Sequence, residues 1–86
     1  MSVSITYCMQ WNYQQKAVSL AEAIKSTISA DAELIEGSKG VFDVTVNGEK
    51  IFSKDDTGRF PTSEEIVSQL LITAVKQKLE NETSDL

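Results

Sequence analysis

The chain has 86 residues, one cysteine, no histidine and a formal net charge of -5. That length holds one small domain, and a lone cysteine removes the disulfide-stapled secreted class. Without histidine there is no zinc finger, no Ser-His-Asp triad and no imidazole base, and 13 acidic against 8 basic residues argue against nucleic acid and anionic membrane surfaces.

Met1–Gln10 has no basic n-region and no apolar stretch of signal-peptide length, and no apolar run is long enough for a bilayer. The expected location is the cytoplasm, whose reducing conditions suit an unpaired thiol. Val3 to Tyr7 reads as a strand, with Val3, Ile5 and Tyr7 alternating against Ser4 and Thr6. Tyr13 to Ser29 reads as a helix with Ala17, Leu20, Ala21, Ile24 and Ile28 on one face. Ala32 to Glu36 is a short strand, and Gly37 to Gly40 a flexible connection.

Val41 to Val46 and Glu49 to Lys54 flank Asn47-Gly48, the dipeptide of a type I′ hairpin turn. The expected register sets Val46 opposite Glu49, Val44 opposite Ile51 and Phe42 opposite Ser53. Phe42, Val44, Val46 and Ile51 then share a buried face, and Phe52 falls on the wet one. Asp55 to Arg59 reads as a polar loop. Thr62 with Glu65 matches a capping box, and Pro61 restricts the backbone just before it. The last helix is expected to end near Glu80, with Val67, Leu70, Leu71, Ala74 and Val75 as its apolar stripe and Lys76 and Lys78 near its C-terminal end. The domain spans residues 1–80, and Asn81 to Leu86 forms a frayed polar tail.

The order is β-α-β-β-β-α. The first two strands, joined through a helix, should run parallel, and the third should run antiparallel to the first. The predicted fold is therefore α/β, of the α+β kind: a four-stranded mixed sheet with both helices on one face, in a reduced thioredoxin-like arrangement. The second and fourth strands form the edges, where Glu33, Lys50 and Lys54 discourage pairing with another chain.

Cys8 ends the first strand just before the first helix. A helix N-terminus offers unpaired N–H groups and partial positive charge, both of which favour the thiolate. Lys16 follows about two turns on. A lone cysteine also serves in many small domains as a buried hydrophobe. A dithiol centre would need a second cysteine at position 11, and Trp11 stands there. Trp11 can act as an exposed binding anchor or pack on Tyr13 and the loop around Phe60. Gly37-Ser38-Lys39-Gly40 lacks phosphate-loop spacing and no predicted helix follows it. Metal binding has no histidine and only one thiol to draw on.

The run Ser4-Ile5-Thr6-Tyr7-Cys8-Met9-Gln10-Trp11-Asn12-Tyr13 resembles the redox loop of the selenoprotein W-related family, the small Rdx-type thioredoxin-like proteins related to selenoproteins W, T and H. Gly40-Val41-Phe42-Asp43-Val44-Thr45-Val46-Asn47-Gly48 is similar to that family's glycine, aromatic strand and turn. Ser53-Lys54 and Gly58-Arg59-Phe60-Pro61 are similar to its Ser-Lys and Gly-x-Phe-Pro elements. The resemblance covers roughly residues 3–78. It implies a thioredoxin-like fold and thiol redox chemistry with glutathione or protein thiols as partners. Cys8 matches the family's first cysteine, while Trp11 occupies the place of the second cysteine or selenocysteine.

Two functions are expected to compete. In the first, Cys8 acts alone through mixed-disulfide or glutathione chemistry, with no other cofactor. In the second, the chain is a redox-inactive module that docks partners through the Cys8–Trp11 loop, with Met9, Gln10, Trp11 and Phe60 as binding residues.

Overall fold

The computed structural model describes residues 2–84, with side chains described through residue 79. The chain runs β1 (Val3–Cys8), α1 (Trp11–Ile28), β2 (Ala32–Gly37), β3 (Phe42–Val46), β4 (Glu49–Ser53), α2 (Lys54–Thr57) and α3 (Ser63–Ser84). The four strands form one sheet in the order β2-β1-β3-β4. β1 pairs in parallel with β2, from Val3 opposite Ala32 to Cys8 opposite Gly37. It pairs antiparallel with β3, from Val3 opposite Val46 to Tyr7 opposite Phe42. The α+β arrangement, the mixed sheet and the edge strands are those expected.

Alternation explains which face is covered. Val3, Ile5 and Tyr7 of β1 and Phe42, Val44 and Val46 of β3 are all buried. They meet Ala17, Leu20 and Ile24 of α1 and Ile66, Val67 and Leu70 of α3 in a single core. Both long helices therefore pack on one face of the sheet. Leu71, Ala74 and Val75 depart from the expected stripe: all three are exposed, Leu71 and Val75 at 46% and 57%. The 22 residues of α3 make a rod of about 33 Å, longer than the core it covers. Its second half extends beyond that core. The helix runs to Ser84, past its expected end near Glu80, so of the expected tail Asn81 to Leu86 only residues 85 and 86 lie outside the described residues.

The hairpin turn is as expected: Asn47 and Gly48 take φ of 53° and 83°. The register holds next to the turn, where Val46 lies opposite Glu49, and departs from the expected one beyond it. Val44 lies opposite Phe52 and Asp43 opposite Ser53, with a β-bulge between Val44 and Thr45. The physical reason is the adjacent pair Ile51-Phe52. Strict alternation can turn only one of them inward. The extra residue of a bulge breaks that alternation, and both side chains pack partly against the core.

The expected loop after β4 contains a short helix instead. Asp55 and Asp56 lie in the first turn of α2, where the backbone presents positive charge. Gly58, at φ 75°, closes it by donating its N–H to the Lys54 carbonyl at 2.7 Å. α3 then opens on the predicted capping box. The Glu65 N–H donates to Thr62 Oγ1 at 3.2 Å, and the Thr62 N–H donates to Glu65 Oε1 at 3.3 Å.

Gly37 closes the sheet beside Cys8. A Cβ there would stand 2.7 Å from both Thr6 Cγ2 and Val41 Cγ1. Both methyls belong to β-branched side chains that cannot easily swing away. Gly37→Ala is expected to destabilise the protein by about 1–3 kcal/mol, the usual scale for overpacking. That outweighs the gain of about 0.4–1 kcal/mol from a stiffer unfolded chain. Urea unfolding of the two proteins measures the net sign.

Candidate functional site

Cys8 is the last residue of β1, and it is 4% exposed. Its N–H donates to the Val41 carbonyl at 2.8 Å, tying the thiol strand to the start of β3. The adjoining turn is built by Gln10, whose carbonyl accepts N–H bonds from Tyr13 and Gln14 at 3.0 Å each. That carbonyl opens α1 at Trp11, earlier than the expected start at Tyr13. No side chain caps the helix. With no Ser, Thr, Asp or Asn at position 10, the sequence carried little signal for this boundary.

The thiol is held below its ordinary pKa. The largest cause is a hydrogen bond from the Gln10 backbone N–H, followed by one from the Gly40 N–H. Burial opposes them, and the Lys39 ammonium adds a smaller effect in their direction. Charged sulfur is a better acceptor than the thiol, so N–H donors favour the thiolate. The helix N-terminus therefore acts through a specific amide. The cation that contributes is Lys39, while Lys16 lies over the Phe60 ring.

Gly40 and Lys39 are the residues that sequence reading missed, since 37–40 reads as a bland connector. The available signal was Gly40 itself. It adopts φ 79°, a conformation that favours glycine, in the segment that folds back toward Cys8.

The neighbouring candidates lie outside the core. Met9 is 65% exposed and Trp11 72% exposed, and Gln10 is exposed between them. Trp11 does not pack away on Tyr13. It lines a groove of about 870 Å³ between α1 and the segment before α3, together with Gln14, Gln15, Val18, Pro61 and Ser63. Cys8, Met9, Gln10 and Trp11 thus occupy one turn.

Phe60 reaches the same end of the sheet through other rings. Its centroid lies 5.3 Å from that of Phe42 and 4.9 Å from that of Tyr13, both edge-to-face. Phe42 is the register partner of Tyr7, next to Cys8. The loop carrying Phe60 is fixed by Arg59. Its guanidinium donates to both carboxylate oxygens of Glu65, at 2.9 and 3.1 Å, and to the Phe60 carbonyl at 3.1 Å. Arg59 holds Glu65 below the usual carboxylate range.

Among the described residues, no three Cys, Asp or Glu side chains gather to hold a metal ion, and no helix is long and apolar enough to cross a membrane. A family model described as the Rdx family matches residues 2–71. The chain belongs to the Rdx family. Its fold is shared with a selenoprotein W-related protein from Vibrio cholerae, at a TM-score of 0.77 and 23% identity, covering 84% of this chain and 94% of that one. A protein from Bordetella parapertussis gives a TM-score of 0.78 and 25% identity, covering 84% of this chain and 95% of that one. Migration and invasion enhancer 1 of Bos taurus is 25% identical over 83 residues, covering 95% of this chain and 72% of its own length. The Mus musculus protein of that name is 26% identical over 69 residues, covering 79% and 60%. Rdx family membership supports a thioredoxin-like, redox-type function.

Proposed function

We propose that this Rdx protein is a thiol redox protein acting through Cys8 alone, with glutathione or a protein thiol as its partner. The observation that carries this reading is the placement of Cys8 at the end of β1, just before α1, with the Gln10 and Gly40 N–H groups favouring its thiolate. The Cys8 thiolate attacks one sulfur of a disulfide. A Cys8–partner disulfide forms, the original S–S bond breaks, and the leaving thiolate takes a proton from water. Trp11 cannot attack the mixed disulfide. Release therefore needs a second thiol from solution. A reducing cytoplasm would supply it.

Intact mass after incubation with glutathione disulfide tests the reading. One glutathione per chain is expected on the native protein and on Trp11→Ala, and none on Cys8→Ser. A native protein that takes up glutathione only after denaturation overturns it. The rival reading would then hold. It is favoured by the exposure of Met9 and Trp11 beside the groove. Under it, the Cys8–Trp11 turn docks a partner without chemistry, and Trp11→Ala abolishes the complex while Cys8→Ser leaves it intact.

A further inference from the structure

The apolar side of α3 changes partway along the helix. In the first half Ile66, Val67 and Leu70 face the core, and Leu70 is the last residue of α3 to join it. At 3.6 residues per turn the same side continues through Thr73, Ala74 and Gln77, none of them large and apolar. The large apolar residues of the second half stand elsewhere. Leu71, Ile72 and Val75 are 46%, 50% and 57% exposed. Helical spacing gathers them with the exposed Glu64 and Ser68 on the side turned away from the sheet.

A helix in water draws most of its stability from packing an apolar face. Among the described residues, none of the second half of α3 joins the core, and its apolar face looks outward. That pattern suits a contact with another chain rather than with its own.

Charge indicates what covers it. Glu64 and Glu65 occupy the first turn of α3, and Lys76 and Lys78 lie in its second half. The ion pairs among the described residues are Lys25 with Asp31, Lys50 with Asp43 and Arg59 with Glu65. Glu64, Lys76 and Lys78 belong to none of them. A helix that is acidic at one end and basic toward the other complements a reversed copy of itself. Laid antiparallel, Leu71 and Ile72 meet the partner's Ile72 and the partner's Leu71. Val75 then meets the partner's Ser68, and Lys78 lies beside the partner's Glu64. Two-fold symmetry makes each contact twice. A parallel pair would set like charges side by side.

We infer that the outer face of α3 is a self-docking surface, on which two copies of this chain pair antiparallel about Leu71 and Ile72. The two helices overlap over residues 64–79, about 24 Å. The sheet and α1 lie behind α3 in each copy, so neither body obstructs the other. A single helix face is smaller than the roughly 800 Å² per partner of standard interfaces. The dissociation constant is therefore expected at about 10–100 μM.

Sedimentation equilibrium of the full chain, kept reduced so that Cys8 cannot link two copies, tests this between about 5 and 500 μM. The average mass is expected to climb from the 9.5 kDa of one chain toward twice that value. Ile72→Glu should raise the dissociation constant more than about tenfold, because pairing would bury a carboxylate from each copy. Ile72 lies outside the core, so the fold survives the change. Gln77→Glu adds the same charge to the opposite side of the same stretch and should leave the native value. Glu64→Lys should weaken pairing about three- to tenfold, the scale for two exposed charge contacts, and Glu64→Lys/Lys78→Glu should restore it. A mass that stays at one chain throughout overturns the inference. Equal weakening by Ile72→Glu and Gln77→Glu overturns the face in favour of net charge. A charge exchange that restores nothing overturns the antiparallel pairing.

Discussion

Alkylation of Cys8 by iodoacetamide is expected to titrate with a midpoint below the ordinary thiol value of about 8.5. The cause lies in the backbone. The Gln10 N–H and then the Gly40 N–H hydrogen-bond the sulfur, and they outweigh the opposing effect of burial. Each pH unit by which the midpoint falls raises the thiolate share at neutral pH by up to about tenfold. The 4% exposure of Cys8 affects a different quantity. It lowers the plateau rate relative to a free thiol but not the midpoint, so a full pH profile separates activation from access. Stability carries the same signature. A thiol whose pKa is depressed on folding binds more protons in the unfolded chain, between the folded midpoint and the ordinary one. Resistance to urea should therefore rise with pH across that window and be lost as pH falls through the folded midpoint. Cys8→Ser should flatten this contribution. A midpoint at or above the ordinary value, with no labelling before unfolding, would make Cys8 a structural residue.

What was legible in the sequence followed from local periodicity. Val3, Ile5 and Tyr7 fixed the inward face of β1, Asn47-Gly48 fixed the turn, and Thr62 with Glu65 fixed the start of α3. What was not legible depended on competition or on the backbone. Ile51 and Phe52 compete for one inward position, and only the assembled core shows that a bulge admits both. The α2 turn was readable from Asp55-Asp56 and Gly58, but charge alone made it look like a loop. At the site, Cys8 was visible as a residue type in a particular place. The amides that activate it were not, because every residue except proline has an N–H and only folding aims it. The groove beside Trp11 was hidden for a related reason. It joins α1 to Pro61 and Ser63, far along the chain.

Trp11→Cys is expected to change the chemistry most. Position 11 is the first residue of α1, and its side chain is 72% exposed, so the substitution removes little packing. It sets a second thiol in the same turn as Cys8, also at the positive end of the helix. A glutathione adduct on either sulfur can then be displaced by the other. The chain is left with an internal disulfide, and both glutathione molecules leave as thiols. For the native protein, resolution waits on a thiol from solution. At about 10 μM external thiol, a tethered thiol with an effective concentration of about 1 mM resolves the adduct about a hundredfold faster. Quenched-flow mass analysis should show a persistent adduct on the native chain and only a transient one on the variant. A variant that keeps its adduct would mean that Cys8 is turned away from position 11, so that the turn cannot support dithiol chemistry. The docking reading predicts the opposite value for this substitution. It deletes the exposed ring at the groove's edge, so the variant would lose its partner rather than gain turnover. The same protein, assayed both for resolution and for partner binding, decides which use of the turn Trp11 serves.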